Sequence, residues 1–222
     1  MKIAQSVNRL GTEAVYNIFA KTKKLISEGK EIIDLSLGQS AESPPEYVIE
    51  ATIKALRDGN NGYTVPNGIL ECREAVSRKI QKLYNAKISP ERIFIVPGGK
   101  PTMHYAISFF GEPGTEIIYP DPGFPIYESM IRYTGAKPVS YNLSDKDNFN
   151  ISVEKIVSLI NDKTRLFIIN NPHNPTGSFA DKSLIDKLAN ALLKYPNVAI
   201  LSDEIYGRLI FEKKEFPTFF NY

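Results

Sequence analysis

Residues 170–177 read Asn-Asn-Pro-His-Asn-Pro-Thr-Gly, and residues 202–206 read Ser-Asp-Glu-Ile-Tyr. Each of these polar motifs follows a continuous apolar run, at 166–169 and at 198–201. Strands that are covered on both faces carry such uninterrupted runs, so both runs are predicted to be buried parallel strands. Between them, Asp181 can cap a helix whose apolar residues recur at helical spacing. The sequence therefore predicts a β-α-β unit.

The polar residues at the ends of these two strands are candidates for a ligand site. In a right-handed β-α-β unit the carboxyl ends of the strands lie side by side, and open α/β sheets bind ligands there. Asn174 and Asp203 would then face one crevice. A carboxylate suits a partner with a basic ring nitrogen, and a nearby amide and phenol suit an oxyanion. Taken alone, the first motif could also be a proline-stiffened turn without chemistry.

The motifs Asn-Pro-His-Asn-Pro-Thr-Gly and Asp-Glu-Ile-Tyr together resemble those of the class I and II aminotransferases, which belong to the pyridoxal phosphate fold type I superfamily. The resemblance runs from the N-terminal arm to Tyr222. It implies an α/β fold in which a mostly parallel sheet has helices on both faces. Residues 1–43 would be the arm and the first part of a small domain. Residues 44–222 would be the large domain, truncated before the Schiff-base lysine.

Composition and charge limit the classes of partner. The 222 residues include 27 basic and 25 acidic side chains, and the net charge of +2 offers no electrostatic reason to expect nucleic acid or an anionic membrane. A single cysteine excludes an internal disulfide framework. No apolar run approaches the roughly 18 to 20 residues needed to cross a bilayer. Small-molecule partners and a reducing cytoplasm are the expected setting.

Apolar periodicity and turn residues predict the remaining elements. Cys72 lies on the apolar face of one predicted helix and is interpreted as a buried small hydrophobe. Further strands are predicted at 32–37, 93–96, 116–119 and 137–143, and further helices at 15–26, 45–56, 69–83 and 152–160.

A Gly-Gly turn follows the predicted strand 93–96 and precedes a helix. Glycines let the backbone approach an anion, and a helix start offers unpaired N–H groups at the positive end of the dipole. A tight turn without a ligand explains the same pattern equally well. The resemblance implies that Gly99 and Lys100 cradle the phosphate of pyridoxal 5'-phosphate.

Three further residues are assigned through the resemblance. Phe124 would stack on the pyridine ring, although an ordinary core phenylalanine at a helix start is the alternative. Tyr63 would reach across a homodimer interface to the cofactor phosphate of the other subunit, and its alternative is a surface aromatic in a turn. Gly38 would lie beside the substrate carboxylate. No residue is predicted to bind a metal.

The implied reaction is transfer of an amino group between an amino acid and a 2-oxo acid. Asp203 would act catalytically by pairing with the ring nitrogen and keeping it protonated. Asn174 and Tyr206 would hydrogen-bond the phenolate oxygen of the cofactor, Tyr206 thereby serving catalysis and Asn174 also contacting the substrate. The peptide bond between Asn174 and Pro175 is predicted to be cis, as in the family.

The lysine that forms the Schiff base in the family lies some way beyond the Asp-x-x-Tyr motif. Lys213 and Lys214 follow Tyr206 too soon and are interpreted as solvent-facing. The chain is therefore expected to be an N-terminal fragment that, by itself, neither transaminates nor folds stably. A carbon-sulfur lyase of the same fold and a non-catalytic pyridoxal phosphate-binding module remain as alternatives. The codons after Tyr222 in the source DNA would distinguish an enzyme from a remnant.

Overall fold

A parallel sheet forms the centre of the computed structural model, which describes residues 1–11, 14–38, 40, 42–211 and 215–222. The strands of these residues run in the order β2-β1-β3-β4, and every neighbouring pair is parallel. Their bounds are β1 Glu116–Asp121, β2 Lys137–Asn142, β3 Thr164–Asn170 and β4 Ala199–Asp203. The strands predicted from these four apolar runs are confirmed.

Helices precede the sheet and connect its strands. Short 3-10 helices occur at Gln5–Arg9, Pro90–Arg92, Asp145–Asp147 and Phe219–Asn221. The α-helices of the described residues are α1 Ala14–Ser27, α2 Glu46–Arg57, α3 Leu70–Tyr84, α4 Gly99–Phe110, α5 Ile126–Thr134, α6 Val153–Leu159 and α7 Lys182–Leu192.

The β3-α7-β4 unit has the predicted construction. The carboxylate of Asp181 caps α7 by accepting a hydrogen bond of 2.9 Å from the backbone N–H of Leu184. Parallel pairing places Asn170, the last residue of β3, opposite Asp203, the last residue of β4. The unit therefore brings the starts of the two polar motifs to one edge of the sheet.

Apolar cores cover both faces of β3, because its side chains alternate between them. Phe167 and Ile169 pack in the core that α6 and α7 complete. Leu166 and Ile168 pack in the other core, together with α4 and α5. The predicted α/β fold, with helices on both faces of a parallel sheet, is confirmed.

The N-terminal arm docks on the C-terminal end of α5. The guanidinium of Arg9 donates hydrogen bonds of 2.8 Å to the carbonyl oxygens of Arg132 and Tyr133. The backbone N–H of Gly11 donates to Ser129 Oγ at 2.9 Å. A cation at this end of a helix satisfies unpaired carbonyls and complements the dipole. The arm is thus held to the helix that borders the candidate site.

Two predicted strands are absent from the described structure. Residues 32–37 and 93–96 have no strand assignment, and neither segment pairs with the sheet. Ile95 donates one backbone hydrogen bond, of 3.1 Å, to the carbonyl of Asn67. Both predictions are wrong for this chain, because an apolar run becomes a strand only beside another strand that shares its hydrogen bonds.

Helix α3 also differs from the prediction in what it buries. Cys72 is only half-buried, whereas its neighbour Arg73 is buried. The guanidinium of Arg73 donates to the carbonyls of Gly68 at 2.9 Å and Pro90 at 2.8 Å, which satisfies a charge held away from water. The spacing of apolar residues alone does not show which face of a helix will meet backbone carbonyls that can accept from a buried side chain.

No helix among the described residues is long and apolar enough to span a membrane.

Candidate functional site

The site begins where β3 and β4 end. The side-chain amide of Asn170 donates to the carbonyl oxygen of Asp203 at 2.9 Å, and the backbone N–H of Asn171 donates to the same oxygen at 3.1 Å. Asn170 is almost completely buried. Its side chain therefore fastens the two polar motifs to each other at the sheet edge.

The same asparagine positions Asn174. Asn170 Oδ1 accepts a hydrogen bond of 2.7 Å from the backbone N–H of Asn174. The side-chain amide of Asn174 in turn donates to the hydroxyl of Tyr206 at 3.4 Å. The predicted cis peptide bond between Asn174 and Pro175 is confirmed. An amide and a phenol, one from each motif, thus lie side by side.

The carboxylate of Asp203 has a buried partner that sequence reasoning missed. The hydroxyl of Tyr127 donates to Asp203 Oδ2 at 2.6 Å. Tyr127 has no exposed surface, and burial together with the negative charge of Asp203 raises the pKa of its phenol far above the usual range. The phenol therefore stays protonated and keeps donating. Tyr127 lies on the buried face of α5 and resembles an ordinary core aromatic, so no local sequence pattern indicated its contact with Asp203.

Aromatic contacts join the Tyr127–Asp203 pair to the start of α4. The ring of Phe124 meets the ring of Tyr127 edge to face, with centroids 5.9 Å apart. Lys100 Nζ lies 5.9 Å from the centroid of Phe124. Contacts therefore connect Lys100, Phe124, Tyr127 and Asp203, and the hydrogen bonds of Asn170 join this series to Asn174.

The Gly-Gly turn leaves the start of α4 open. Gly98 has φ +88°, a left-handed conformation that favours glycine, and Gly99 is the first residue of the helix. A Cβ built on either glycine would meet no atom within 4 Å. The space beside the two glycines is therefore open at this helix start.

Two predicted site residues are exposed and take no part in the contacts described above. Tyr63 is fully exposed, and Gly38 is exposed as well. Lys213 and Lys214 lie outside the described residues. The roles assigned to these residues stay predictions.

Sequence reasoning also missed that His173, inside the first motif, supports the loop of the candidate site. Its Nδ1 lies 2.8 Å from Thr176 Oγ1, while its buried Nε2 has no hydrogen-bond partner among the described residues. Burial lowers the pKa of the imidazole. The neutral ring therefore helps to hold the loop that presents Asn174.

A cavity of about 460 Å³ opens beside Asn174 and Tyr206, and apolar side chains such as Phe179 and Leu209 line it. Asp203 and Phe124 do not line this cavity. It therefore borders the cluster rather than containing it. Within the described part of the chain, no group of three or more His, Cys, Asp or Glu side chains could hold a metal ion.

Comparison with known proteins identifies the family of this chain. Residues 30–221 match the model of the family described as aminotransferase class I and II. A (5-formylfuran-3-yl)methyl phosphate transaminase of Methanocaldococcus jannaschii is 35% identical over 90% of this chain and 50% of that protein.

Two solved structures are similar to this chain. The aspartate aminotransferase of Rhizobium meliloti has a TM-score of 0.92 and 27% identity over 98% of this chain and 55% of its own. The aspartate aminotransferase of Thermus thermophilus, solved with maleate, has a TM-score of 0.93 and 28% identity over 97% of this chain and 56% of its own. The chain therefore spans about half the length of these relatives. It belongs to the class I and II aminotransferase family.

Proposed function

We propose that this chain supplies the cofactor-binding part of an aminotransferase that uses pyridoxal 5'-phosphate to transfer an amino group between an amino acid and a 2-oxo acid. The observation that carries the proposal is the arrangement at the ends of β3 and β4. There, Asp203 accepts a hydrogen bond from buried Tyr127, and the amide of Asn174 lies beside the phenol of Tyr206. The transaminase and aminotransferase names of the relatives support it.

The donor set fits the chemistry of the cofactor. A carboxylate matches a pyridine nitrogen, a neighbouring amide and phenol match a phenolate oxygen, and an open helix start matches a phosphate. When bound, pyridoxal phosphate supplies an electron sink for a bond at the substrate α-carbon. The protein's part is to hold this group and to set the charges around it.

Asp203 would face the ring nitrogen and favour its protonated form, because a nearby carboxylate stabilises a cation. Tyr127 occupies Oδ2 with a hydrogen bond of 2.6 Å and so restrains the rotation of the carboxylate. Each carboxylate oxygen has more than one acceptor position. Capacity for the ring nitrogen therefore remains after Tyr127 has bonded.

Asn174 and Tyr206 would both donate to the phenolate oxygen. An asparagine amide has two N–H donors, and the one directed at the Tyr206 oxygen leaves the other for a ligand. Because Tyr206 accepts from Asn174, its own proton can be donated onward. The contact of 3.4 Å is long for a hydrogen bond, which leaves both groups able to adjust.

The start of α4 would bind the phosphate through the N–H groups at Gly99 and Lys100, with the ring of Phe124 under the pyridine. Lys100 lies close enough to Phe124 for both to contact one ligand. The open space beside Gly98 and Gly99 would leave room for the phosphate at this helix start.

The remaining roles complete the proposal. Gly38 would lie beside the substrate carboxylate, with Asn174 as its second contact. Tyr63, which is fully exposed, would reach the cofactor phosphate of the other subunit in a homodimer. The enzyme would work in the cytoplasm. Residues 1–43 would belong to the arm and small domain, and 44–222 to the large domain.

The proposal is tested with the whole protein that the source gene encodes. Incubation with pyridoxal phosphate, an amino acid and a 2-oxo acid should yield the exchanged pair of products. Turnover that releases ammonia and needs no 2-oxo acid would instead indicate the lyase. Tight cofactor binding without turnover of either kind would indicate a binding module.

A further inference from the structure

We propose that Glu204 is a positioning residue for the candidate site, because its carboxylate fastens the turn that carries Asp203 and Tyr206 to the segment 215–222. The inference deepens the proposed function and rests on it for the meaning of that turn. Glu204 lies in the second motif, yet neither the motif nor the family match assigns it a role.

Three donors converge on this carboxylate. Ser202 Oγ donates to Oε1 at 2.8 Å, and the backbone N–H of Phe219 donates to the same oxygen at 3.3 Å. The hydroxyl of Thr218 lies between both oxygens, at 3.2 Å from Oε1 and 3.1 Å from Oε2. All of the partners are donors, and an ionised carboxylate is the side chain that only accepts.

Glu204 and Asp203 are adjacent but have different partners. The carboxylate of Asp203 accepts from Tyr127 in α5 and from the backbone N–H of Ile205, whereas Glu204 accepts from Ser202 and the C-terminal segment. The carbonyl of Glu204 also accepts from the N–H of Gly207 at 2.9 Å, which closes the turn around Tyr206. Because both the carboxylate and the backbone carbonyl of Glu204 are hydrogen-bonded, the turn is restrained, and this restricts the direction in which Tyr206 points.

The segment that holds Glu204 is itself anchored to the body of the fold. The ring of Phe220 stacks on Tyr84, at the end of α3, with centroids 6.0 Å apart. The ring of Phe216 lies against the turn, since a Cβ on Gly207 would be 3.0 Å from it. The hydroxyl of Tyr222 contacts the carboxylate of Asp186 in α7. The segment can therefore act as a fixed support.

Burial makes this anchor sensitive to its partners. Thr218 is only 3% exposed, so water cannot replace its hydroxyl freely. Burial raises the pKa of Glu204, while the hydrogen bonds from Ser202, Phe219 and Thr218 lower it. A half-buried carboxylate such as that of Glu204 depends on its donors for stabilisation. Removing one donor should therefore move the carboxylate and, with it, the turn.

The test compares Thr218→Val, which removes the hydroxyl but keeps the shape, with Thr218→Ser, which keeps the hydroxyl. NMR spectra of the isotope-labelled full chain, without cofactor, report on the side-chain amide of Asn174 and the ring of Tyr206. We expect Thr218→Val and Glu204→Gln to shift these signals and Thr218→Ser to leave them close to the parental positions. A purely structural anchor would lower the melting temperature and leave the site signals unchanged.

Titration with pyridoxal phosphate and, separately, with inorganic phosphate gives a second readout. In Thr218→Val the dissociation constant for pyridoxal phosphate should rise about tenfold, as loss of one hydrogen bond to a charged group allows, while phosphate binding is unchanged. If the parental chain binds no pyridoxal phosphate, the proposed function fails and the NMR comparison still decides the role of Glu204. Site signals that stay unchanged in folded Thr218→Val would overturn the inference.

Discussion

The two parts of the chain on either side of Gly99 contain similar apolar runs but use them differently. In β3, the side chains of Leu166, Phe167 and Ile168 are at most 1% exposed. In the first part, Ile33 is 87% and Phe94 is 69% exposed, although both lie in runs that predict strands. The run in β3 has a neighbouring strand on each side, whereas the runs at 32–37 and 93–96 have none. A neighbouring strand supplies backbone hydrogen bonds and helps to bury the side chains.

The same contrast applies to the candidate site. Asn174, Asp203 and Tyr206 follow paired strands and are held by hydrogen bonds to Asn170, Tyr127 and each other. Gly38 and Tyr63 follow segments outside the sheet and are exposed. Asn174, Asp203 and Tyr206 are therefore held in place by contacts within this chain.

The largest expected effect tests this contrast in burial. Phe167→Ala should lower the free energy of unfolding by about 3 to 5 kcal/mol, because it opens a cavity between β3 and two helices. Phe94→Ala, the matched control at an exposed side chain, should change it by less than about 0.5 kcal/mol. Urea unfolding of both variants, made in the whole protein that the source gene encodes, measures the difference. Equal losses would show that the side chain of Phe94 is buried in solution.

The next prediction concerns Asp203 in the whole protein that the source gene encodes. Asp203→Ala removes the anionic partner of the ring nitrogen, so transamination should fall by orders of magnitude. Asp162→Ala alters an exposed carboxylate far along the chain and should leave the rate near the parental value. Single-turnover rates with a saturating amino acid separate loss of chemistry from loss of binding. Parental rates in Asp203→Ala would refute the assigned role.

Tyr127→Phe should have a smaller effect. Loss of the hydroxyl leaves Asp203 with one hydrogen bond fewer, and we expect the free energy of unfolding to fall by about 1 to 2 kcal/mol. Tyr105→Phe, at an exposed position in the neighbouring helix α4, is the control and should be nearly neutral. If the two variants were equally stable, the phenol of Tyr127 would contribute nothing to holding Asp203.

The smallest effect is a pH dependence from His173. Burial lowers the pKa of its imidazole in the folded chain, whereas the unfolded chain takes up a proton near pH 6.5. As pH falls below about 6.5, the unfolded state gains protons first, so stability should decrease until the lowered folded pKa is reached.

Subtracting the urea-unfolding profile of His173→Gln from the parental profile isolates this contribution. Its slope cannot exceed about 1.4 kcal/mol per pH unit, the limit for one group. A difference profile that is flat between pH 5 and pH 7 would contradict the burial of a neutral ring.

Local sequence patterns were sufficient for much of the sheet and for the position of the site. The apolar runs before Asn170 and Asp203 predicted β3 and β4, because continuous apolar residues are required where both faces are covered. Asp181 marked the start of α7 through a cap that needs only neighbouring backbone. The two polar motifs placed Asn174, Asp203 and Tyr206 at one sheet edge, since parallel strands end on the same side.

Only the tertiary structure decided which runs are paired and which polar groups support the site. The runs at 32–37 and 93–96 resemble strands, but a strand needs a partner that a local pattern does not supply. Tyr127 and Glu204 owe their roles to partners in distant parts of the chain, Asp203 and Thr218. Periodicity reports which face of an element is apolar, whereas a buried hydroxyl or carboxylate depends on the donor or acceptor that folding brings to it.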